Sequence, residues 1–468
     1  MRHGLTRSAA GACAYRAQLF RVHHAASAPD CDDTFLEYSL GMGAISTDPM
    51  KPAPATAPAE KSAGPLVGHV DDRSAVLWYR AARPGRCTLR LQIEPGGWLN
   101  GHEAQATADN DQCVQWHVEQ LNPGTTYRYS VMLDGEMVAD GEALRFRTAP
   151  PIGQRSRVKL GFGSCALEDE GTRAVWRRVA AEDVDGFVLL GDTPYIDKTD
   201  LPTQRRRYRE FAVVPEFQQL LQGRPFWGTW DDHDFGRNDS DGLLPGKENA
   251  RRAFCEYRPQ TSHGVRGQGV FQRFTRGAAE VFLLDTRWFA RTERSFADPQ
   301  KPTLLGKVQW EWLKQGLLAS TAPFKVLACG MIWDDKQNKE SDDWGTYFYE
   351  LEAIKRLIAE HRITGVVLIG GDIHVTRVLK HDTSATVGYP LYEFISSPMH
   401  HKVIPSLNVP HPALIHSAVE PHTFLTVTFD DTEKVPALHA EFIRRDGRRL
   451  FEVTVNLNEL TGRGWMLK

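Results

Sequence analysis

The chain has 468 residues, 41% hydrophobic and 25% charged, ordinary globular usage but too long for one compact core. Its formal net charge of -3 gives no electrostatic pull towards nucleic acid or an anionic membrane. No stretch reaches the roughly 20 apolar residues of a membrane span, and seven scattered cysteines do not make a disulfide framework.

Residues 1–62 read as a disordered tail or leader. Arg2, Arg7, Arg16 and Arg21 precede the first acid, Asp30, and no apolar h-region follows them. The composition resembles an organelle transit peptide; a plain tail, or a true start at Met42 or Met50, is the preferred reading. The Pro-, Ala- and Lys-rich stretch 48–64 buries too little apolar surface to order itself. With neither a secretory signal nor a twin-arginine motif, a cytoplasmic location is expected, with periplasmic or secreted as the alternative.

Residues 63–150 alternate at period two. Ala75–Tyr79, Cys87–Ile93, Val114–Val118 and Tyr127–Val131 predict strands. Asn122-Pro123-Gly124-Thr125 and Asp134-Gly135 predict the turns between them. Regular strands without helices predict a β-sandwich. Leu121–Tyr129 resembles the turn into a late strand of a fibronectin III-like domain. Cys87 and Cys113 could pair there, but free thiols are favoured.

Residues 155–468 predict an α/β domain. Val158–Phe162, Phe187–Leu190, Val281–Leu284, Val326–Cys329 and Val366–Ile369 are apolar runs suited to strands buried on both faces. Helices are predicted between them at 174–181, 205–221, 307–318 and 348–361. In the last, Leu351, Ile354, Leu357 and Ile358 form one packing face. Beyond Pro390 the strands Leu391–Ile395, Phe424–Phe429, Leu438–Ile443 and Leu450–Val455 are expected at one edge of this domain.

Four apolar strands run directly into polar residues: Gly163-Ser164-Cys165, Gly191-Asp192-Thr193-Pro194-Tyr195, Trp230-Asp231-Asp232-His233-Asp234 and Gly371-Asp372-Ile373-His374. In open α/β sheets the functional crevice lies beyond the carboxyl ends of the strands. Taken singly, each has a bland reading. Gly-Asp is often only a turn, Tyr195 a satisfied aromatic, Asp372 a helix cap and Cys165 a buried thiol. Three acids and an imidazole emerging together from an aromatic strand are harder to dismiss, because buried like charges need a cation. The conjunction points to a metal centre, and the number of acids suits a dinuclear one.

These motifs, with Leu284-Asp285-Thr286-Arg287, resemble the PhoD-like (alkaline phosphatase D) metallophosphatases over about Pro65 to Pro398. The resemblance implies a four-layer α/β/β/α metallophosphoesterase sandwich. It implies Fe³⁺ held by Cys165, Asp192, Tyr195 and His374, with Asp192 bridging. It also implies Ca²⁺ held by Asp372 and a residue of the 231–239 loop, among Asp231, Asp232 and Asn238. Zn²⁺ or Mn²⁺ suits similar donors.

The reaction expected is hydrolysis of phosphate monoesters or diesters by a metal-bound water or hydroxide, on a small-molecule phosphoester or a phospholipid. His233 is expected as general acid, with metal ligation as its alternative; Asp232 is placed beside it. Arg287 is expected to hold a phosphoryl oxygen or, with equal weight, to sit in a structural ion pair with Asp285. The alternative function is a degenerate metallophosphatase acting as a binding or scaffold protein.

Overall fold

The alternating segments after residue 62 become eight strands: β1 (Ala63–Val70), β2 (Ala75–Arg80), β3 (Gly85–Ile93), β4 (His102–Ala106), β5 (Cys113–Val118), β6 (Thr126–Leu133), β7 (Glu136–Ala139) and β8 (Arg145–Arg147). The computed structural model describes residues 61–465 except Pro95, Asn100, Asn338 and Lys339. The tail or leader expected over residues 1–62 therefore lies, but for its last two residues, outside the described residues. Strands β1-β2-β5 form one antiparallel sheet; β4-β3-β6-β7, with β8 beside β6, form another. In β3, Cys87, Leu89 and Leu91 are fully buried, as period-two alternation requires. They share one core with Leu77, Trp116, Tyr129 and Phe146. Cys87 and Cys113 are both free, buried thiols.

The remaining strands are β9 (Arg157–Gly163), β10 (Gly186–Leu190), β11 (Phe226–Thr229), β12 (Gln272–Arg276), β13 (Ala279–Leu283), β14 (Phe324–Ala328), β15 (Val366–Gly370), β16 (Thr376–His381), β17 (Leu391–Ile395), β18 (Leu414–Ala418), β19 (Thr423–Asp430), β20 (Ala437–Arg444) and β21 (Arg449–Asn456). The helices are α1 (Glu170–Ala181), α2 (Leu201–Ala212), α3 (Pro215–Leu221), α4 (Asp232–Phe235), α5 (Lys247–Tyr257), α6 (Gly306–Ala319) and α7 (Phe348–Glu360). One sheet runs β11-β10-β9-β19-β20-β21 and the other β12-β13-β14-β15-β17-β16-β18. Strands β9, β10 and β11 are parallel, as are β13, β14, β15 and β17.

The two sheets share a core. Leu160, Phe162, Val188 and Leu190 of the first meet Val281, Leu283, Val326 and Leu368 of the second in one cluster. Side chains of opposite parity, Phe187 and Leu189, point into a separate cluster with Val175, Trp176 and Val179 of α1 and Phe211 and Phe217 of α2 and α3. The first sheet is thus buried on both faces, which is why its strands read as continuous apolar runs. The two β-sheets nearest the N-terminus dock through aromatic hydrogen bonds: Trp78 Nε1 donates to Glu256 O at 2.8 Å and Trp227 Nε1 to His69 Nδ1 at 3.0 Å.

Two expectations change. The C-terminal strands do not gather at one edge. β17 lies inside the seven-stranded sheet between β15 and β16, and β19 pairs with β9 in the middle of the other. The helix expected over 205–221 is two helices, α2 and α3, because Pro215 has no N–H to continue the first and biases Val214 to extended backbone (φ -61°, ψ 119°).

Candidate metal centre

The carboxyl ends of parallel strands from both sheets converge. β9 delivers Cys165, β10 Asp192 and Tyr195, and β11 the 231–239 segment; β15 delivers Asp372 and His374, and β17 Ser397 and His400. Two glycines let the sheets approach. A Cβ on Gly371 would lie 2.7 Å from the Cβ of Ser164, and one on Gly330 would lie 2.4 Å from Cγ of Asp231. Cys165, Asp192, Asp372 and His374 all have left-handed backbone, with φ of 56°, 51°, 66° and 52°. Such conformations cost energy for residues with a Cβ and cluster at functional sites.

Three groups of potential ligands follow, each with donor atoms within 4.8 Å of one another: Cys165, Asp192 and His374; Asp192, Asp232 and His233; Asp232, Asp239 and Asp342. Asp192 and Asp232 each belong to two groups, so the cluster is continuous. Cys165 Sγ lies 3.5 Å from Asp192 Oδ2 and accepts from Ser397 Oγ at 3.2 Å. Tyr195 Oη lies 3.0 Å from His374 Nε2 and 3.1 Å from His400 Nε2. The Lys402 N–H donates to His400 Nδ1 at 3.1 Å. A neutral His400 therefore carries its hydrogen on Nε2 and donates it to the Tyr195 oxygen.

The electrostatics describe a site built for cations. Burial, then the charges of Asp232, Asp231 and Asp234, drive the Asp192 carboxyl well above its ordinary range. Burial and the charge of Asp192 do the same to the Cys165 thiol. Burial and the charges of Cys165 and Asp192 push the Tyr195 phenol far up. Asp372 is pushed up to about 6 by burial despite Lys336. Burial and neighbouring cationic groups push His374 down to about 3, and burial with His401 pushes His400 down to about 4, leaving both rings neutral; the Nδ1 of His374 has no hydrogen-bond partner, while that of His400 accepts the Lys402 N–H. A bound cation would invert the acids' preference and deprotonate a coordinating thiol.

The predicted residues divide clearly. Cys165, Asp192, Asp232, His233 and His374 meet in the ligand groups, with Tyr195 against His374 and His233; Asp372 joins none of them, its backbone O lying 3.5 Å from Cys165 Sγ and its Oδ2 2.5 Å from Lys336 Nζ. Asp231 does not join the ligand groups; its Oδ1 receives Arg287 Nε at 2.6 Å and Nη2 at 2.5 Å. Arg287 is 0% exposed, and its Nη2 lies 3.2 Å from Asp342 Oδ2. An ion pair is present, but its partners are Asp231 and Asp342 and not the expected Asp285. Asp285 instead accepts the backbone N–H of Arg287 and the indole N–H of Trp230. Asn238 is exposed, and the loop acid that reaches the cluster is its neighbour Asp239. Asp234 braces the loop, its Oδ1 accepting from the Asp231 N–H at 2.6 Å and the Asp192 N–H at 3.3 Å.

Sequence reasoning missed His400, Asp197, Asp239, Lys336 and Asp342. Lys336 Nζ lies 2.8 Å from Asp342 Oδ1 and 2.5 Å from Asp372 Oδ2, and Asp197 lies 2.5 Å from His233 Nδ1. His400 had a signal, since Ser396-Ser397-Pro398-Met399-His400 follows an apolar strand just as the four recognised motifs do. Asp342 and Lys336 lie in a long connection without a motif.

Residues 160–423, more than half of the chain, match the family model of the PhoD-like phosphatases. The chain belongs to the PhoD-like phosphatase family. Residues 59–150 match a domain of unknown function (DUF7800). Alkaline phosphatase D of Bacillus subtilis (strain 168) is 26% identical over 315 residues, covering 56% of this chain and 53% of that protein. The chain thus spans about half the length of the curated relative it matches. The solved structure of PhoD superposes with a TM-score of 0.69 at 18% identity, covering 88% of this chain and 95% of that one. Purple acid phosphatase PPD1 from yellow lupin (Lupinus luteus) seeds gives a TM-score of 0.62 at 12% identity over 85% of this chain and 74% of that one. The last two establish an α/β fold with multiple sheets in common. No helix among the described residues is long and apolar enough to cross a membrane.

Proposed function

We propose that this PhoD-like protein hydrolyses phosphoesters at a metal centre built from Cys165, Asp192, Tyr195, Asp232, Asp372 and His374. The sharing of Asp192 between two ligand groups carries this reading, because one carboxylate then faces two cation positions. The donors fit such ions: thiolate, imidazole and carboxylate are side by side, and the buried His374 Nδ1 has no hydrogen-bond partner. We assign Fe³⁺ to the Cys165, Asp192, Tyr195 and His374 side and Ca²⁺ to the Asp372 side, with Zn²⁺ or Mn²⁺ as candidates by donor chemistry. Cations bound here would neutralise phosphoryl charge and activate water as nucleophile.

The chain's own residues supply the rest. His400 donates to the Tyr195 oxygen and Ser397 to the Cys165 sulfur, so both anionic ligand forms are stabilised and aimed. Arg287 and Lys336 offset charge on Asp231, Asp342 and Asp372, keeping the carboxylates compatible with burial. His233 stands at the rim with its ring 4.5 Å from that of Tyr195. Burial alone would lower its pKa, but the hydrogen bond it donates to Asp197 and the charge of Asp232 raise it, which suits a proton donor to the leaving oxygen. We read residues 155–468 as the four-layer α/β/β/α sandwich of this family and 63–150 as a fibronectin III-like companion.

The test uses the full chain. Elemental analysis should find bound metal, and 4-nitrophenyl phosphate with its bis-ester should separate monoesterase from diesterase activity. Asp192→Asn should lose metal and turnover together while circular dichroism stays unchanged. A wild-type chain inert after iron and calcium are supplied, or an active Asp192→Asn variant, would overturn the proposal.

A further inference from the structure

At the starts of β10 and β11, the opposite strand ends from those that lead into the metal cluster, a groove of about 770 Å³ runs between the N-terminal β-sheets and the α/β domain. Phe146 and Arg147 line it from one side, Val184 and Pro225 from the other. Five arginines, Arg145, Arg147, Arg177, Arg224 and Arg276, face only three acids, Glu142, Asp183 and Asp185, across it. Three of the arginines are matched: Arg145 pairs with Glu142 at 2.5 Å, Arg224 with Asp183 at 2.7 Å and Arg177 with Glu216 at 2.6 Å.

Arg147 and Arg276 differ. Neither makes an ion pair among the described residues. Arg276, at the end of β12, is only 5% exposed. Its Nη1 and Nη2 donate to the carbonyls of Val70 and Arg147, both at 3.3 Å, and its buried Nε has no partner. Burial lowers the pKa of its guanidinium; Asp185 acts in the opposite sense from beyond ion-pair distance, Arg147 adds to the lowering, and Asp71 opposes it more weakly. A permanently charged guanidinium cannot escape this cost by releasing its proton. A buried charge calls for a counter-ion.

We infer that this groove is an oxyanion site, in which a tetrahedral oxyanion such as inorganic phosphate bridges Arg276 and Arg147. With Asp185 also lining the groove, the two unpaired arginines leave a surplus of one positive charge, and the unpartnered Nε of Arg276 with the fork of Arg147 suits an acceptor with several oxygens. The anion would tie the β-sheet unit to the α/β domain, because Arg147 closes β8 on one side and Arg276 closes β12 on the other. The inference stands apart from the proposed catalysis.

Calorimetric titration of the full chain with inorganic phosphate tests it. Binding should saturate in the millimolar range or below, sulfate should compete and acetate should not. Arg147→Ala, an exposed position, should weaken the binding about tenfold or more, as loss of one charge-assisted hydrogen bond predicts. Arg276→Gln should abolish it. Asp192→Asn should leave this component in place, which separates it from phosphate held at the metal cluster. Binding that disappears in Asp192→Asn yet survives Arg147→Ala, or no saturable binding at millimolar phosphate, overturns the inference.

Discussion

Arg287→Met is the most informative single change in the buried charge network. It removes the cation that holds Asp231 at 2.5–2.6 Å while leaving a flexible apolar side chain to fill much of the space. Asp342 keeps Lys336 at 2.8 Å, so the loss falls mainly on Asp231, which is 1% exposed. Stranding one charge of a buried pair costs about 3–5 kcal/mol. Asp231→Asn in the same background removes the stranded charge, so the double variant should be more stable than Arg287→Met alone. Urea unfolding of the wild type, both single variants and the double variant closes a thermodynamic cycle. A loss below about 1 kcal/mol for Arg287→Met, or strictly additive single changes, would refute the buried-pair reading. Arg287 would then be free for the substrate role that its burial argues against.

Other outcomes follow from the same geometry. Gly371→Ala places a methyl 2.7 Å from Ser164 Cβ and 3.1 Å from Gly330 O; overpacking of about 1–3 kcal/mol is expected, with reduced metal content by elemental analysis. Trp227→Phe removes the indole N–H bonded to His69 and should cost about 1–3 kcal/mol in urea unfolding, because a buried acceptor is left unsatisfied. For His381, burial pulls the pKa down, but the hydrogen bond and charge of the buried Glu393, 2.8 Å away, raise it overall. A raised folded pKa gives stability that is complete below the unfolded value and lost as pH rises through the folded one. Wild type should therefore exceed His381→Gln in stability more at acid than at alkaline pH, and equal gaps at both would dismiss the pair's contribution. If Tyr195 binds Fe³⁺ as a phenolate, native protein should show a visible charge-transfer band that Tyr195→Phe abolishes; colour that survives the substitution removes Tyr195 from the iron.

Much of the fold was legible because its strands carry simple signals. The continuous apolar runs at β9, β10, β13, β14 and β15 follow from burial on both faces. The face of α7 was legible too, since Ile354, Leu357 and Ile358 recur at helical spacing and enter the core. Helix α5 was missed although Ala250, Ala253, Phe254 and Tyr257 show the same spacing; the strongly charged residues between them obscured it. Strand order was out of reach. Nothing local says that β17 pairs with β15 on one side and β16 on the other, because that choice is made by packing against distant segments.

The site divides along the same physical line. A residue immediately beyond a buried strand has its position dictated by that strand, so reading strand ends found Cys165, Asp192, Tyr195, Asp372 and His374. Residues that complete the charge balance obey no such rule. Arg287 stood in a recognised segment, yet its role depends on Asp231, 56 residues away, and on Asp342, 55 residues away. Lys336 pairs with Asp372 from a connection whose sequence carries no motif. Candidate ligand positions are therefore written in local pattern, while the cations that make those acids tolerable in a buried site are chosen by tertiary contact. A buried cation without an ion pair among the described residues, such as Arg276, is equally invisible in sequence and consequently becomes informative only once its surroundings are known.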